Sequence, residues 1–292
     1  MKLSELFSSG KFVVTSEVAP PKGVETGEML ENAELLRSRV DAVNITDQQS
    51  SVMRLGSLVA SQLLKARGIE PVFQLTCRDR NRIALQSDLL SAWAVGVENV
   101  LCLTGDHVAL GDFPDAKPVF DLDSVSLLST AMALNAGKDL AGNELEGAPD
   151  FCLGAVVTPG ADPLEPQLIK MEKKIAAGAT FFQTQAVFDT ETFARFMERA
   201  GTLGIPVMVG IILLKSPGMA RFMNKNVAGV HVPDALIAEM AAAADRPAAS
   251  IEIAARLIRE VRDVCQGVHI MPLGWEKHVP AVLDSAGLPG AG

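Results

Sequence analysis

The chain has 292 residues, 48% of them hydrophobic and 21% charged, a balance that excludes an intrinsically disordered protein and gives length enough for a large core. A formal net charge of −9 argues against a general nucleic-acid binder, which needs a basic face to neutralise phosphates. A small anionic cofactor is still permitted, because a lysine or a helix N-terminus acts locally.

Residues 1–10 are polar and mixed, with no signal core, and no apolar run approaches the roughly 18 residues of a bilayer span. From there, β-rich runs alternate with longer helical patterns. The first strand is expected over 11–18 and its helix over 26–38. A strand at 42–46 leads to a helix over 51–66, with Val52, Leu55, Val59 and Leu63 at helical spacing. Strands at 71–76 and 99–103 are followed by helices at 82–95 and 122–135, the latter after a long loop. Strands at 152–157 and 181–185 precede helices at 165–177 and 190–199. The strand at 206–213 opens helical material spread over 219–264. The eighth strand, 268–273, leads into a last helix near Trp275. Gly68, Gly96, Gly178 and Gly204 stand where helices hand over to the next strand, as left-handed caps do.

Strands this rich in Val, Ile, Leu and Phe, joined by helices, mean a parallel sheet covered on both faces. Eight such units in under 300 residues favour a single α/β domain over 1–292, a closed (β/α)8 TIM barrel, over an open doubly wound sheet. The missing GxGxxG after the first strand points the same way. Cys77, Cys102, Cys152 and Cys265 are scattered without a CxxC pair, which reads as reduced, mostly core thiols in a cytoplasmic protein. His231, His269 and His278 lack metal-ligand spacing, so no metal is expected.

In a barrel the chemistry gathers at the C-terminal strand ends. The polar residues there are Glu17, Thr46-Asp47-Gln48, Gln74 with Thr76, Thr104-Gly105-Asp106, Thr158, Gln185, Lys215 and Gly274-Trp275-Glu276. Glu17 and Asp106 end very apolar strands, where desolvation favours a general acid. Position alone leaves two structural readings open: Glu17 closing the mouth against a basic partner, and Asp106 serving as a turn or cap residue. Gln183 and Gln185 fall on one side by strand alternation, where an amide needs either a protein partner or a ligand such as a heterocycle edge. Residues 106–120, with Gly111, Pro114 and Pro118, are long enough for a lid or a cofactor-binding segment. His107 beside Asp106 is read as a chance neighbour.

Several fragments run in register with these strands: Ser16-Glu17-Val18-Ala19-Pro20-Pro21, Thr46 in VNITD, Leu75-Thr76-Cys77-Arg78-Asp79, and Leu103-Thr104-Gly105-Asp106. They continue with Gln167-Leu168 through Lys173-Lys174-Ile175-Ala176-Ala177-Gly178-Ala179, and with Thr184-Gln185-Ala186-Val187-Phe188-Asp189. In this order the sequence resembles the methylenetetrahydrofolate reductase family over nearly its whole length. The resemblance implies a flavin, FAD with FMN as the alternative, and hydride exchange between flavin N5 and a folate-bound one-carbon unit. It implies Glu17 as the general acid of ring opening, Asp106 holding the pterin and tuning the flavin, and Gln185 contacting tetrahydrofolate. It implies Thr46, Gln74, Thr104, Gly105, Asp106, Thr158, Lys173 and Lys174 along the flavin, the two lysines toward its phosphates. An oligomer is expected as well.

The chain departs from the family pattern at Gln74, where a histidine is usual, and at Thr158, where an aromatic is usual. It departs again in 214–218, which lack the usual aromatic, and in Gly274-Trp275-Glu276-Lys277 in place of L-N-R. The ending resembles short reductases that work with an iron–sulfur partner subunit. Electrons delivered by such a partner and direct oxidation of NAD(P)H are therefore the competing expectations. The rival functions are a pterin-dependent methyltransferase barrel, a non-catalytic scaffold subunit of a redox complex, and a proline dehydrogenase-like flavoenzyme.

Overall fold

The computed structural model describes residues 1–288 and 290. Eight strands, β1 (Val13–Val18), β2 (Ala42–Ile45), β3 (Pro71–Thr76), β4 (Asn99–Leu103), β5 (Cys152–Val157), β6 (Phe181–Ala186), β7 (Val207–Ile212) and β8 (Gly267–Met271), pair in chain order into a closed barrel. Every neighbouring pair is parallel, and β8 closes on β1 with Val13 opposite Gly267 and Thr15 opposite His269. The (β/α)8 expectation is met.

Alternation along each strand explains the two cores. Outward residues such as Val43, Phe73, Cys102, Leu153, Phe182 and Val209 pack against the helices. The inward residues of the lower barrel, Val13, Ala42, Val72, Leu101, Cys152, Phe181 and Met208, form a separate cluster. That cluster is sealed by α1 (Leu3–Ser8), a helix that the polar look of residues 1–10 does not suggest. Its Leu3 is fully buried, its Phe7 ring lies 6.0 Å from that of Phe181, and Leu3 N–H donates to Asn99 Oδ1 at 2.8 Å.

The barrel helices are α2 (Gly27–Leu36), α3 (Ser57–Lys65), α4 (Arg82–Ala94), α5 (Ser124–Asn135), α6 (Glu165–Ala176) and α7 (Thr190–Ala200). They are followed by α8 (Pro217–Asn226), α9 (Asp234–Ala242), α10 (Arg246–Val261) and α11 (Val279–Ser285). Thus the helical material of 219–264 resolves into three helices, and β8 stops at Met271, two residues short of the expected end. The third helix starts at Ser57 instead of 51. Gln48, Ser50 and Ser51 take left-handed backbone (φ 50°, 55° and 60°), so the run containing Val52 and Leu55 is loop. Asn81, Asp123, Asp189, Ser216 and Asp245 accept backbone N–H bonds at the starts of α4, α5, α7, α8 and α10. Gly68, Gly96, Gly178 and Gly204 all take positive φ, as expected. All four cysteines are buried and unpaired. Among the described residues no helix is long and apolar enough to cross a membrane.

Candidate active site at the mouth of the barrel

Above the apolar floor the barrel interior turns polar. Asn44 on β2 and Gln183 on β6 meet across the barrel. Asn44 Nδ2 donates to Gln183 Oε1 at 2.8 Å, and Gln183 Nε2 donates to Thr15 Oγ1 at 3.3 Å. Thr15 Oγ1 lies 2.9 Å from His269 Nδ1, and His269 Nε2 lies 3.5 Å from Glu17 Oε2. These groups are all buried, and removing one would strand its partner at a cost of about 1–3 kcal/mol. Gln183 therefore takes the protein-partner reading that the sequence leaves open.

Glu17, 6% exposed, is the top of this network and faces a cavity of about 470 Å³ at the strand ends, together with Pro20, Gln49, Arg54 and Glu276. The burial expected of Glu17 is present. Asp106 is instead exposed, so the desolvation expected there is not found. Its turn is built on Gly105 (φ 92°), where a Cβ would stand 3.1 Å from Thr76 Cβ and 3.2 Å from Arg78 Cβ.

Beneath that turn lies Arg78, only 2% exposed. It grips Asp79 through Nε and Nη2 (2.9 and 2.7 Å) and donates to the carbonyls of Asp106 (3.4 Å) and Gln48 (3.3 Å). The Leu-Thr-Cys-Arg-Asp fragment is thus a brace for three loops. Next to it, buried Asp47 accepts from Thr76 N–H (2.9 Å), Thr76 Oγ1 (2.8 Å) and Arg80 Nη1 (2.8 Å). Burial works against the charge of Arg80, but Asp47 outweighs it and the guanidinium pKa is raised. Asp88, 2.9 Å from Arg80 Nε, is pushed up by its own burial, an effect that Arg80 partly offsets.

Thr46, at the end of β2, carries a buried hydroxyl with no hydrogen-bond partner among the described residues. Gln74 is buried one strand over, and Thr158, half-buried, packs its methyl beneath Gly229. Thr104 Oγ1 accepts from Ser124 N–H at 3.1 Å, helping to start α5. Residues 106–120 fold across their neighbours. Lys22 pairs with Asp112, Met53 N–H donates to Asp112 Oδ1 at 3.2 Å, and Gly111 sits so close to Ser51 that a Cβ would fall 1.8 Å from its carbonyl oxygen. His107 Nδ1 accepts from Ala109 N–H at 3.2 Å, a local cap that leaves it unconnected to Asp106.

The alternation expected to hold Gln185 beside Gln183 is broken by a register shift between Gln183 and Ala186 against β7. Gln183 is buried and paired, while Gln185 leaves the ladder exposed. Neighbouring lysines also part company. Lys174 Nζ donates to Val156 O at 2.6 Å, and burial, then Lys170, pushes its ammonium down to about 8. Lys173 is exposed and lines a cavity of about 540 Å³ between α5 and α6 with Asp123 and Ser126. A roomier cavity of about 800 Å³, lined by Ile83, Leu90 and Leu140, lies on the outer flank of α4 and α5, away from the polar strand ends.

Sequence reasoning passed over Arg80 and weighed His269 only as a metal ligand; Asp47 and Arg78 stood among the strand-end residues and motifs without an assigned role. The signal for His269 was its parity: Val268 and Ile270 face the helices, so the residue between them faces inward. Lys215 crosses to the β8 loop, donating to Leu273 O and standing 5.3 Å from the Trp275 ring.

The fold is a closed eight-stranded parallel barrel with a buried glutamate side chain and an unpaired hydroxyl at its C-terminal mouth, the end at which barrels of this class carry their sites. The sequence profile of the methylenetetrahydrofolate reductase family matches residues 2–287, and the chain belongs to that family. It is 29% identical over 212 residues to 5,10-methylenetetrahydrofolate reductase of Pectobacterium carotovorum, covering 71% of this chain and 64% of that protein. It is 26% identical over 263 residues to methylenetetrahydrofolate reductase 2 of Schizosaccharomyces pombe, covering 82% and 39%. The chain thus spans less than two thirds of the length of these relatives. Among solved structures, an uncharacterised Clostridium thermocellum protein that binds two copies of 5-methyl-5,6,7,8-tetrahydrofolic acid superposes with a TM-score of 0.70 at 15% identity, covering 97% of this chain and 98% of that one. A 2,3-dimethylmalate lyase follows at a TM-score of 0.55 and 11% identity, a likeness of fold alone.

Proposed function

We propose that this chain is a flavin-dependent methylenetetrahydrofolate reductase, one barrel domain interconverting 5,10-methylenetetrahydrofolate and 5-methyltetrahydrofolate. The observation that carries the reading is Glu17: a carboxylic acid buried at the end of β1, opening onto the 470 Å³ cavity of the mouth. Family membership and the methyltetrahydrofolate named for the C. thermocellum neighbour supply the substrate class.

The residues present fit a flavin. The unpaired buried hydroxyl of Thr46 is a donor awaiting an acceptor, and unpaired polar groups are costly unless a ligand meets them. Thr46, Gln74, Thr104, Gly105, Asp106 and Thr158 would hold FAD, or FMN in its place, along the ends of β2 to β5, with Lys173 toward its phosphates. Lys174, already bound to Val156 O, would shape that wall from behind. When bound, the flavin supplies the hydride.

The chain's own residues do the rest. Glu17 holds a proton in a water-poor recess and delivers it to the folate nitrogen whose bond to the one-carbon bridge opens. Gln185, exposed beside the mouth, offers an amide to the pterin edge, and Asp106 accepts from the pterin on the opposite loop. Arg78 fixes the loop that carries Asp106, and the Asp47–Arg80 pair ties together the ends of β2 and β3 beside it. The electron donor is NAD(P)H or an iron–sulfur partner subunit, and NADH or NADPH oxidation by the isolated chain at ordinary turnover rates would remove the partner.

The test is the anaerobic absorption spectrum of the purified protein before and after 5-methyltetrahydrofolate. Flavin absorption near roughly 450 nm that bleaches on addition is the expected result. Unchanged bands would overturn the substrate. No bands after reconstitution with FAD or FMN would overturn the flavin and favour a pterin-dependent methyltransferase.

A further inference from the structure

We propose that His269 is a positioning residue for the proton transfer assigned to Glu17, presenting an Nε2–H to the carboxylate through a directional chain of buried hydrogen bonds. The proposal rests on the general-acid reading of Glu17, and its test separates the two.

Asn44 Nδ2 donates to Gln183 Oε1 at 2.8 Å, and Gln183 Nε2 donates to Thr15 Oγ1 at 3.3 Å. Thr15 Oγ1 thereby spends one lone pair on Gln183, which leaves its own hydrogen free for its other neighbour, His269 Nδ1, 2.9 Å away. An imidazole that accepts at Nδ1 carries its proton on Nε2 in the neutral form. Nε2 faces Glu17 Oε2 at 3.5 Å, a separation that one small rotation closes to a hydrogen bond when a ligand seats. Among the described residues His269 is the one basic side chain within ion-pair distance of Glu17.

This arrangement does two things for the acid. It commits one carboxylate oxygen to the barrel interior, so the other faces the cavity and the substrate. It also stabilises the charge left behind: the Glu17 O–H bond breaks, the proton goes to the folate nitrogen, and the electron pair remaining on the carboxylate meets the N–H that the rotation has brought to it. His269 neither gains nor loses a proton in the step. The three groups behind His269 come from β1, β2 and β6, so the barrel strands themselves hold the tautomer assigned to it. A histidine serving packing alone would not need three successive oriented polar partners in an interior whose lower half is apolar.

The experiment measures the saturating rate and the half-saturating concentration of reoxidation of the reduced flavin by 5,10-methylenetetrahydrofolate, anaerobically, on flavin-loaded protein. His269→Leu is expected to lower the saturating rate roughly 10- to 100-fold with flavin content and half-saturation unchanged. His269→Gln, whose amide N–H reaches the Nε2 position, is expected to restore most of the rate. In a Glu17→Gln background His269→Leu is expected to cost nothing further, because it acts through Glu17. Thr15→Val, which removes the hydroxyl but not the bulk, is expected to slow the reaction several-fold and keeps the idea testable if His269→Leu fails to fold. Loss of the same factor in the Glu17→Gln background, or wild-type rates in both His269→Leu and Thr15→Val, would overturn the role of His269. A wild-type rate in Glu17→Gln alone would overturn the general-acid assignment instead.

Discussion

The two ends of this barrel are made by the same eight strands with the same alternation, yet they are built to opposite rules. At the lower end the inward positions are Val13, Ala42, Val72, Leu101, Cys152, Phe181 and Met208, covered by Leu3 of α1, and the buried amide there, Asn99, is satisfied locally by Leu3 N–H, Met1 O and Glu70. At the upper end the inward positions become Thr15, Glu17, Asn44, Thr46, Gln74, Gln183 and His269, equally buried but polar. Burial in the first case is the source of stability, and in the second a cost offset by hydrogen bonds that run across the barrel. The difference teaches where to look for function in such a fold: not where the chain is exposed, but where it buries groups that would be better off in water.

The sharpest way to break the contrast is to cut the lower end. Phe181→Ala should cost about 3–5 kcal/mol of stability, seen in denaturant unfolding, while flavin and folate affinities of the folded fraction stay at wild-type values. Altered ligand affinity would mean the two ends are coupled. A slightly smaller effect probes a polar group in neither end. Lys174 lies in the layer between α6 and the strands, where burial depresses its pKa from 10.5 to about 8. The folded chain then holds this proton less tightly than the unfolded chain, so its penalty is full below pH 8 and fades toward 10.5. Stability of the wild type relative to Lys174→Met should therefore climb across that window, by on the order of 3 kcal/mol. Parallel profiles would show that the ammonium escapes to solvent. Glu17→Gln, at the upper end, should bind flavin normally, keep its stability, and lose folate turnover by roughly 10²-fold or more.

The strands, their order and the closed barrel were legible in the sequence because parallel strands buried on both faces leave long β-branched runs, and every strand lay within two residues of its expected place. The buried place of Glu17 was legible for the same reason, as a carboxyl-bearing residue ending an apolar run. What the sequence did not convey depends on contacts between strands far apart in the chain. Asn44 finds Gln183 across the barrel, and Asp47 finds Arg80 over a loop, and neither spacing has a period. Gln185 could not be placed by alternation because a bulge interrupts it. The helix at 3–8 was invisible because a single turn and a half of mixed residues becomes helical only when Leu3 and Phe7 have a barrel floor to cover.

The smallest expected effect is also the most discriminating. Thr46 is buried at the end of β2 with its hydroxyl unpaired, so in the protein alone the oxygen is a liability. Thr46→Val replaces it with a methyl of nearly the same size. Because nothing is bonded to the hydroxyl, the ligand-free protein should be unchanged or stabilised by up to about 1 kcal/mol in thermal unfolding. If the hydroxyl is there for a flavin, the same change should weaken flavin binding by about 3- to 10-fold, the worth of one neutral hydrogen bond, measured by titrating the apoprotein. The opposite signs are the point: a residue kept for the fold loses stability when trimmed, whereas one kept for a ligand gains stability and loses affinity. A Thr46→Val protein that is less stable and binds flavin unchanged would move Thr46 out of the site and into the scaffold, and with it the boundary drawn here between the two ends of the barrel.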